Sequence, residues 1–316
     1  MKVKAAIQYG ITTLLFLVTF ICVFTPSMLF FKNFTQYTLY IMLGLLAVGI
    51  FSFVVENSRT MMMSLLCCGI LCLYLKSSSN DKIRLPLENA NPSLTITHIS
   101  LGNAENDYAT VIDYLMSIDA DLLSFQELTP DWNAQLIDKL SAKYNYVQTV
   151  TRLDQYGMGF FSKIPFEHLD TIYYKEIPNL VASVKLRGHE ECTIISCQVT
   201  PPVNQAAYAS ITDHFNFISM YMRQLSGSVV VLGDFHLPPW SKEVQKFKEE
   251  SHLSDGRRDI HTRNLDGSMS LPRIPVEHIL FSDAMDCTSF AEIGNSVVGR
   301  LGIVGTYQIQ HEEILQ

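Results

Sequence analysis

Two stretches of this chain end a buried strand on a carboxylate. Val229-Val230-Val231-Leu232 is a continuous, mostly β-branched apolar run, and Gly233-Asp234 follows it. Leu122-Leu123-Ser124-Phe125-Gln126 is a second such run and stops at Glu127. Apolar runs of this length read as strands covered on both faces. Carboxylates at the ends of such strands sit where a sheet opens into a cleft. There they can hold a divalent cation or take a proton from water. An isolated aspartate at a strand end also serves as a turn or helix cap, so the pair matters more than either member. His236 lies two residues after Asp234, and Glu277-His278 precedes a short apolar strand at Ile279-Leu280-Phe281. Glu127, Asp234, His236 and Glu277 together are oxygen and nitrogen donors of the type that hold a divalent ion.

The elements that must position these groups lie in residues 92–316. A strand is expected at Ser93–Ser100, where apolar and polar residues largely alternate. Helical spacing follows at Tyr108–Ile118, with Val111, Ile112, Leu115 and Met116 on one face. Pro130 opens a helix containing Trp132, Leu136, Ile137 and Leu140. Strands are expected at Tyr144–Thr151 and Tyr156–Ser162, and a hairpin pair at Leu180–Leu186 and Cys192–Thr200 turns at Arg187-Gly188-His189-Glu190. A long helix is expected over Ala206–Leu225, a shorter one over Ser241–Glu250, and a last strand over Leu301–Gln308. Hairpins mixed with helices predict a layered α/β sandwich of two mixed sheets rather than a doubly wound parallel sheet.

The first part of the chain has a different composition. Ile11–Phe31, Leu39–Val55 and Met61–Leu75 are almost free of charge, and about 20 apolar residues cross a bilayer. Three transmembrane helices are therefore expected within residues 1–78, a polar linker at 79–91, and one domain over 92–316. Residues 1–80 carry five Lys/Arg and one Glu, against eighteen Lys/Arg and thirty Asp/Glu in 81–316. Lys2 and Lys4 ahead of the first span favour a cytoplasmic N-terminus and an extracytoplasmic domain, through the preference of basic flanks for the inner side. An acidic domain without a basic cluster beyond Arg257-Arg258 makes nucleic acid a poor partner. The expected partner is the lipid bilayer. Seven cysteines, scattered and odd in number, make neither a disulfide framework nor a metal motif.

The stretches Ser124-Phe125-Gln126-Glu127-Leu128-Thr129-Pro130-Asp131-Trp132, Tyr156-Gly157-Met158-Gly159-Phe160-Phe161-Ser162, Gly233-Asp234-Phe235-His236-Leu237-Pro238-Pro239-Trp240-Ser241 and Val276-Glu277-His278-Ile279-Leu280 resemble the endonuclease/exonuclease/phosphatase superfamily. That resemblance implies a four-layer α/β sandwich of two mixed β-sheets, the DNase I-like fold. With three membrane helices in front, the chain looks like the bacterial branch that includes the vancomycin/teicoplanin-resistance membrane phosphatases. In that branch the domain faces outward and is associated with undecaprenyl pyrophosphate.

The resemblance places Glu127 at the family's metal-binding glutamate and Asp234 at its water-activating aspartate, so Mg²⁺ would be the implied cofactor. Other family positions are substituted. Ser100 stands for the first-strand asparagine, and His236 for the asparagine of the Asp-x-Asn pair. Gln198 stands for the catalytic histidine, and Glu277 for the aspartate before His-Ile-Leu. Gly299 and Arg300 stand for the closing Asp-His, and no Asp or His lies between Glu292 and Gln310 to replace them. Arg300 could pair with Glu127 or Asp234 or hold a phosphate, with Gln198, Ser100 and His236 as further binding groups. The expected function is a membrane-anchored domain with an eroded site that binds a phosphorylated ligand without hydrolysing it. One alternative is a rearranged, metal-dependent phosphoesterase acting on a phosphorylated or pyrophosphorylated lipid, with Glu277 supporting Asp234. The other is a membrane interaction protein without a ligand.

Overall fold

The computed structural model describes residues 2–80, 86, 89–104, 107–186, 191–258 and 271–310. Four helices come first: α1 (Lys2–Phe24), α2 (Leu29–Gln36), α3 (Thr38–Val54) and α4 (Ser58–Ser79). Ala6–Phe24 and Ser58–Ser79 are each long and apolar enough to cross a membrane. The pair α2 and α3 is bent by 65° and makes a third crossing only if the two are one broken span. The expected span over residues 11–31 is therefore corrected. Thr25 turns into the left-handed region (φ 34°), Pro26 cannot donate the next helical hydrogen bond, and the chain restarts as the separate α2. Gln8 Nε2 donates to Asn57 Oδ1 at 3.2 Å, so the start of α1 lies beside the α3–α4 turn. The start of α3 and the end of α4 lie at the other end of the bundle, against the following domain. Most of the expected linker lies outside the described residues.

The domain has two six-stranded sheets. The first runs β11 (Met285–Asn295), β12 (Gly299–Ile309), β1 (Ser93–Ser100), β2 (Leu122–Gln126), β4 (Met158–Ser162), β3 (Tyr146–Val150). The second runs β5 (Phe166–Tyr174), β6 (Ile177–Lys185), β7 (Glu191–Cys197), β8 (Ser228–Asp234), β10 (Glu277–Ser282), β9 (Leu253–Asp255). Each sheet has one parallel pair near its middle, β1 with β2 and β7 with β8, and the other pairings are antiparallel. The expected strands at Tyr144–Thr151, Leu180–Leu186 and Leu301–Gln308 appear with shifted ends. β5 and β11 were not expected; both are edge strands that mix polar with apolar residues and carry too little apolar signal. The turn expected at 187–190 lies outside the described residues.

Leu94, Phe160, Leu180, Ile194, Val230, Leu232, Ile279 and Ile303 fill the space between the sheets. Helices α5 (Tyr108–Ser117) and α6 (Pro130–Leu140) cover the first sheet. Helices α7 (Gln205–Met222) and α8 (Lys242–Glu250) cover the second. The result is the four-layer α/β sandwich. Each of these helices begins where a short polar side chain caps a backbone N–H: Asp107, Thr129, Asn204 and Ser241 accept from Thr110, Trp132, Ala207 and Val244.

The first four helices join the domain around one aromatic side chain. Trp240 is buried against Leu39 and Leu75. Its Nε1 donates to Thr35 O at 3.0 Å, and its carbonyl accepts from the Tyr74 hydroxyl at 3.0 Å. Around it, Tyr208 bonds Gln36 and Asn33, and Lys32 pairs with Glu243. Trp240→Ala should leave a cavity at this joint and lower stability by about 3–5 kcal/mol. Thermal unfolding of the full chain in detergent measures this, and an unchanged Tm would contradict it.

Candidate functional site

The parallel pairs β1–β2 and β7–β8 end on the same side of the sandwich. In open α/β sheets that is where ligands bind. Gln126, the last residue of β2, connects the two sheets there. Its Oε1 accepts the Asp234 backbone N–H at 2.9 Å, and its Nε2 donates to Ser196 Oγ at 3.3 Å. A Cβ on Gly233 would lie 1.9 Å from the Cys197 carbonyl oxygen and 2.6 Å from Gln126 Nε2, and its φ is 149°. Glycine is therefore required where the chain turns out of β8.

Glu127 follows with a left-handed backbone (φ 59°). Its Oε1 accepts from Ser100 Oγ at 3.0 Å, and its carboxylate lies over Gly102, where a Cβ would come within 2.1 Å of Oε2. Asp234 is 8% exposed. Its Oδ1 accepts the His236 backbone N–H at 2.8 Å and lies 3.3 Å from His236 Nδ1. His236 is also left-handed (φ 51°). Burial holds its imidazole below the ordinary histidine pKa, against the pull of Glu127. Its buried Nε2 has no hydrogen-bond partner.

Glu277 stands directly across the β8–β10 ladder from Asp234, so the two carboxylates share one face. Burial pushes Asp234 up to about 6; Glu127 pushes the same way, while the His236 N–H and Arg300 pull down. Burial pushes Glu277 up to about 7, with Arg300 opposing it and Asp234 adding to it. Arg300, the second residue of β12, lies 2.9 Å from Glu292 Oε1 and 3.5 Å from Glu277 Oε2. This corrects the expectation that it pairs with Glu127 or Asp234: the β11–β12 pairing sets it opposite Gly294, two residues past Glu292. Arg300 Nε and both polar ends of the fully buried Gln198 lack hydrogen-bond partners.

The structure brings Glu127, Ser100, Asp234, His236, Glu277 and Arg300 to one end of the sandwich, with Gln198 just past the end of β7. Sequence reasoning missed Gln126, Glu292, Asn103 (Nδ2 donates to Glu277 Oε1 at 3.2 Å) and Arg257 (Nη2 donates to the Glu277 carbonyl at 2.7 Å). Gln126 carried a signal, being a polar residue at the end of an apolar strand. The others depend on long-range register. His98 and His278 are buried in the core, and burial holds both below the ordinary histidine pKa, His98 at about 3. His278 stacks on Phe235 and bonds the Leu237 carbonyl.

Residues 100–295 match the model of the Endonuclease/Exonuclease/phosphatase family, which is more than half of the chain. The chain belongs to that family. No curated protein matches it. Among solved structures, the endonuclease/exonuclease/phosphatase from Beutenbergia cavernae superposes with a TM-score of 0.57 at 14% identity, covering 69% of this chain and 72% of that one. The family member from Bacteroides vulgatus gives 0.55 at 12%, covering 69% and 99%. D. rerio TDP2 complexed with single strand DNA product gives 0.55 at 16%, covering 68% and 99%. At these identities the likeness shows the DNase I-like fold alone.

The family implies a divalent metal. Among the described residues no group of three or more His, Cys, Asp or Glu side chains is arranged to hold one. Glu127 is engaged by Ser100, and Asp234 by His236. Arg300 already brings a fixed positive charge to Glu277 and Glu292. These residues do not fit an ion held by protein ligands alone.

Two raised carboxyl pKa values have a thermodynamic consequence. Between about pH 4 and 7 the folded state keeps protons that the unfolded chain has released. The stability this contributes is complete at low pH and is lost as pH rises through about 6 and 7. Glu277→Gln should therefore flatten the fall in Tm between pH 5 and pH 8. An unchanged slope would show that Glu277 ionises normally. Gly102→Ala should push the Glu127 carboxylate off Ser100 and destabilise by about 1–3 kcal/mol through overpacking, measured by denaturant unfolding.

Proposed function

We propose that this chain is a non-hydrolytic member of the family, held at a membrane by its N-terminal helices, that binds a phosphorylated ligand in the cleft. The observation that carries this reading is Arg300. It replaces a mobile metal charge with a covalently fixed one, sits among carboxylates, and keeps a buried Nε without a partner. Beside β8, the buried Gln198 amide also lacks partners. Unpaired buried polar groups are costly, and a phosphoryl oxygen is an acceptor of the kind that such donors lack. Neither Gln198 nor Arg300 can act as the general acid or base that a histidine there would supply, and such groups contribute about 10²–10⁴-fold in rate. Lys2 and Lys4 ahead of the first helix support an extracytoplasmic domain, and attachment at a bilayer supports a lipid-borne ligand, such as a phosphorylated or pyrophosphorylated lipid of the undecaprenyl type.

A second reading is favoured by one geometry. Asp234 lies against His236 Nδ1, and the buried Nε2 has no partner; a proton on Nδ1 would make Nε2 an acceptor, the arrangement in which a carboxylate orients an imidazole base. That reading is a Mg²⁺-dependent phosphoesterase with a rearranged base.

Two assays separate the readings. With Mg²⁺ and a pyrophosphorylated polyprenyl lipid, the purified full chain should release no phosphate above an Asp234→Ala control. Release that Asp234→Ala abolishes would overturn the non-hydrolytic reading. Binding of the same lipid should weaken about tenfold or more in Arg300→Ala, since charge-assisted hydrogen bonds contribute about 1.5–3 kcal/mol. Equal binding would remove Arg300 from the site, and no binding by either chain would favour an interaction protein without a ligand.

A further inference from the structure

The direction of α4 fixes how the cleft faces. Near its end, the Tyr74 hydroxyl bonds the Trp240 carbonyl, just before α8. One turn later, the Ser78 carbonyl accepts from Gln245 Nε2 at 2.7 Å and from Lys248 Nζ at 2.9 Å, one to two turns into α8. The two helices therefore run in the same direction, side by side. α8 begins at the loop after Asp234 and runs away from the cleft. α4 runs from the far end of its apolar bundle toward the domain. The cleft end of the sandwich thus faces back toward the apolar helices, not away from them.

The loops at that end carry exposed apolar tips. Leu153, between β3 and β4, is 90% exposed. Val203, between β7 and α7, is 75% exposed, and Tyr173, beside the β5–β6 turn, is 54% exposed. These loops are tied together. Arg152 Nη1 donates to the Glu176 carbonyl at 3.4 Å, and Tyr156 bonds Thr200 Oγ1 at 3.4 Å. Leu128 pairs with Gly157 and Arg152 through the backbone, which fixes the Leu153 loop beside Glu127. Lys175 lies 4.9 Å over the Tyr174 ring at the same rim. Aliphatic tips with an aromatic ring and a cation are the side chains that settle at a bilayer interface. At the joint, Met28 just before α2 and Phe30 on it are exposed as well.

We infer that the mouth of the cleft lies against the bilayer surface, with Leu153, Tyr173 and Val203 entering the headgroup region. The ligand is then the phosphorylated headgroup of a membrane lipid, taken directly from the bilayer and not from solution. This rests on reading the N-terminal helices as membrane spans. Helix tilt, about 20° on average, is too small to turn the cleft away.

The test uses the full chain in nanodiscs whose lipids carry bromine near the headgroup. Leu153→Trp and Val203→Trp each add a fluorophore at a tip. Met220→Trp adds one at a position 64% exposed near the end of α7, on the opposite end of the domain. Fluorescence gained over the unsubstituted chain should be quenched at 153 and 203 at least about twofold more than at 220, as expected about 5–10 Å into the interface. Equal quenching at all three, with the chain still retained in the membrane after alkaline carbonate washing, overturns this inference alone. Release by carbonate overturns the membrane reading beneath it. In a second arm, excess inorganic phosphate should fail to displace a bound fluorescent phospholipid from the chain; full displacement would assign the cleft to soluble phosphate.

Discussion

The site depends on one buried side-chain amide. Gln126 accepts the Asp234 N–H and reaches Ser196, so the ends of two sheets meet at a fixed distance. Two layers packed only through aliphatic contacts can slide by fractions of an ångström. A buried hydrogen bond between strand ends resists this, because breaking it strands a donor or an acceptor. Gly233 is part of the same constraint, since any side chain there would collide with the Cys197 carbonyl and the amide itself. The placement of Glu127 on one side and Asp234 on the other follows from this junction.

The charges above the junction form a self-contained set. Asp234 and Glu277 face each other across one rung, and both are pushed toward neutrality by burial. Arg300 offsets part of that repulsion and lies between Glu277 and Glu292. A buried arrangement of this kind adds little net stability, because desolvation consumes much of the Coulombic gain. Its value lies in specificity of placement. A fixed guanidinium offers directional donors where a metal ion would offer exchangeable coordination positions.

Much of the fold could be read from residue order. Val229–Asp234 and Leu122–Glu127 carried strong local signals, apolar runs that stop abruptly, and both became central strands ending at the cleft. β5 and β11 were missed because they are edge strands that mix polar with apolar residues, and their places are set by partner strands. Pro26 was visible, yet the charge-free run beyond it obscured the break that separates α1 from α2. At the site, Ser100, His236 and Arg300 could be named from their positions in the chain. The partners of Arg300 could not be, because a β-hairpin's register decides which carboxylate it meets. Glu292 and Asn103 are ordinary polar residues in the sequence and gain meaning only from the strands and turns that bring them to Glu277.

Trp240 also bears on what counts as one folding unit. It belongs by sequence to the loop after Asp234, and by contact to the N-terminal helices, with Leu39, Leu75, Thr35 and Tyr74 around it. Cutting the chain at the polar stretch after α4 would leave an indole, the Tyr208 ring and the Glu243 carboxylate facing water without the groups that now cover them. The compositional boundary and the thermodynamic boundary therefore fall in different places. Helices that look like a detachable anchor form part of the wall that shapes the loop after Asp234, and a mutation deep in the apolar bundle can reach the cleft through that loop with no change in any residue that lines it.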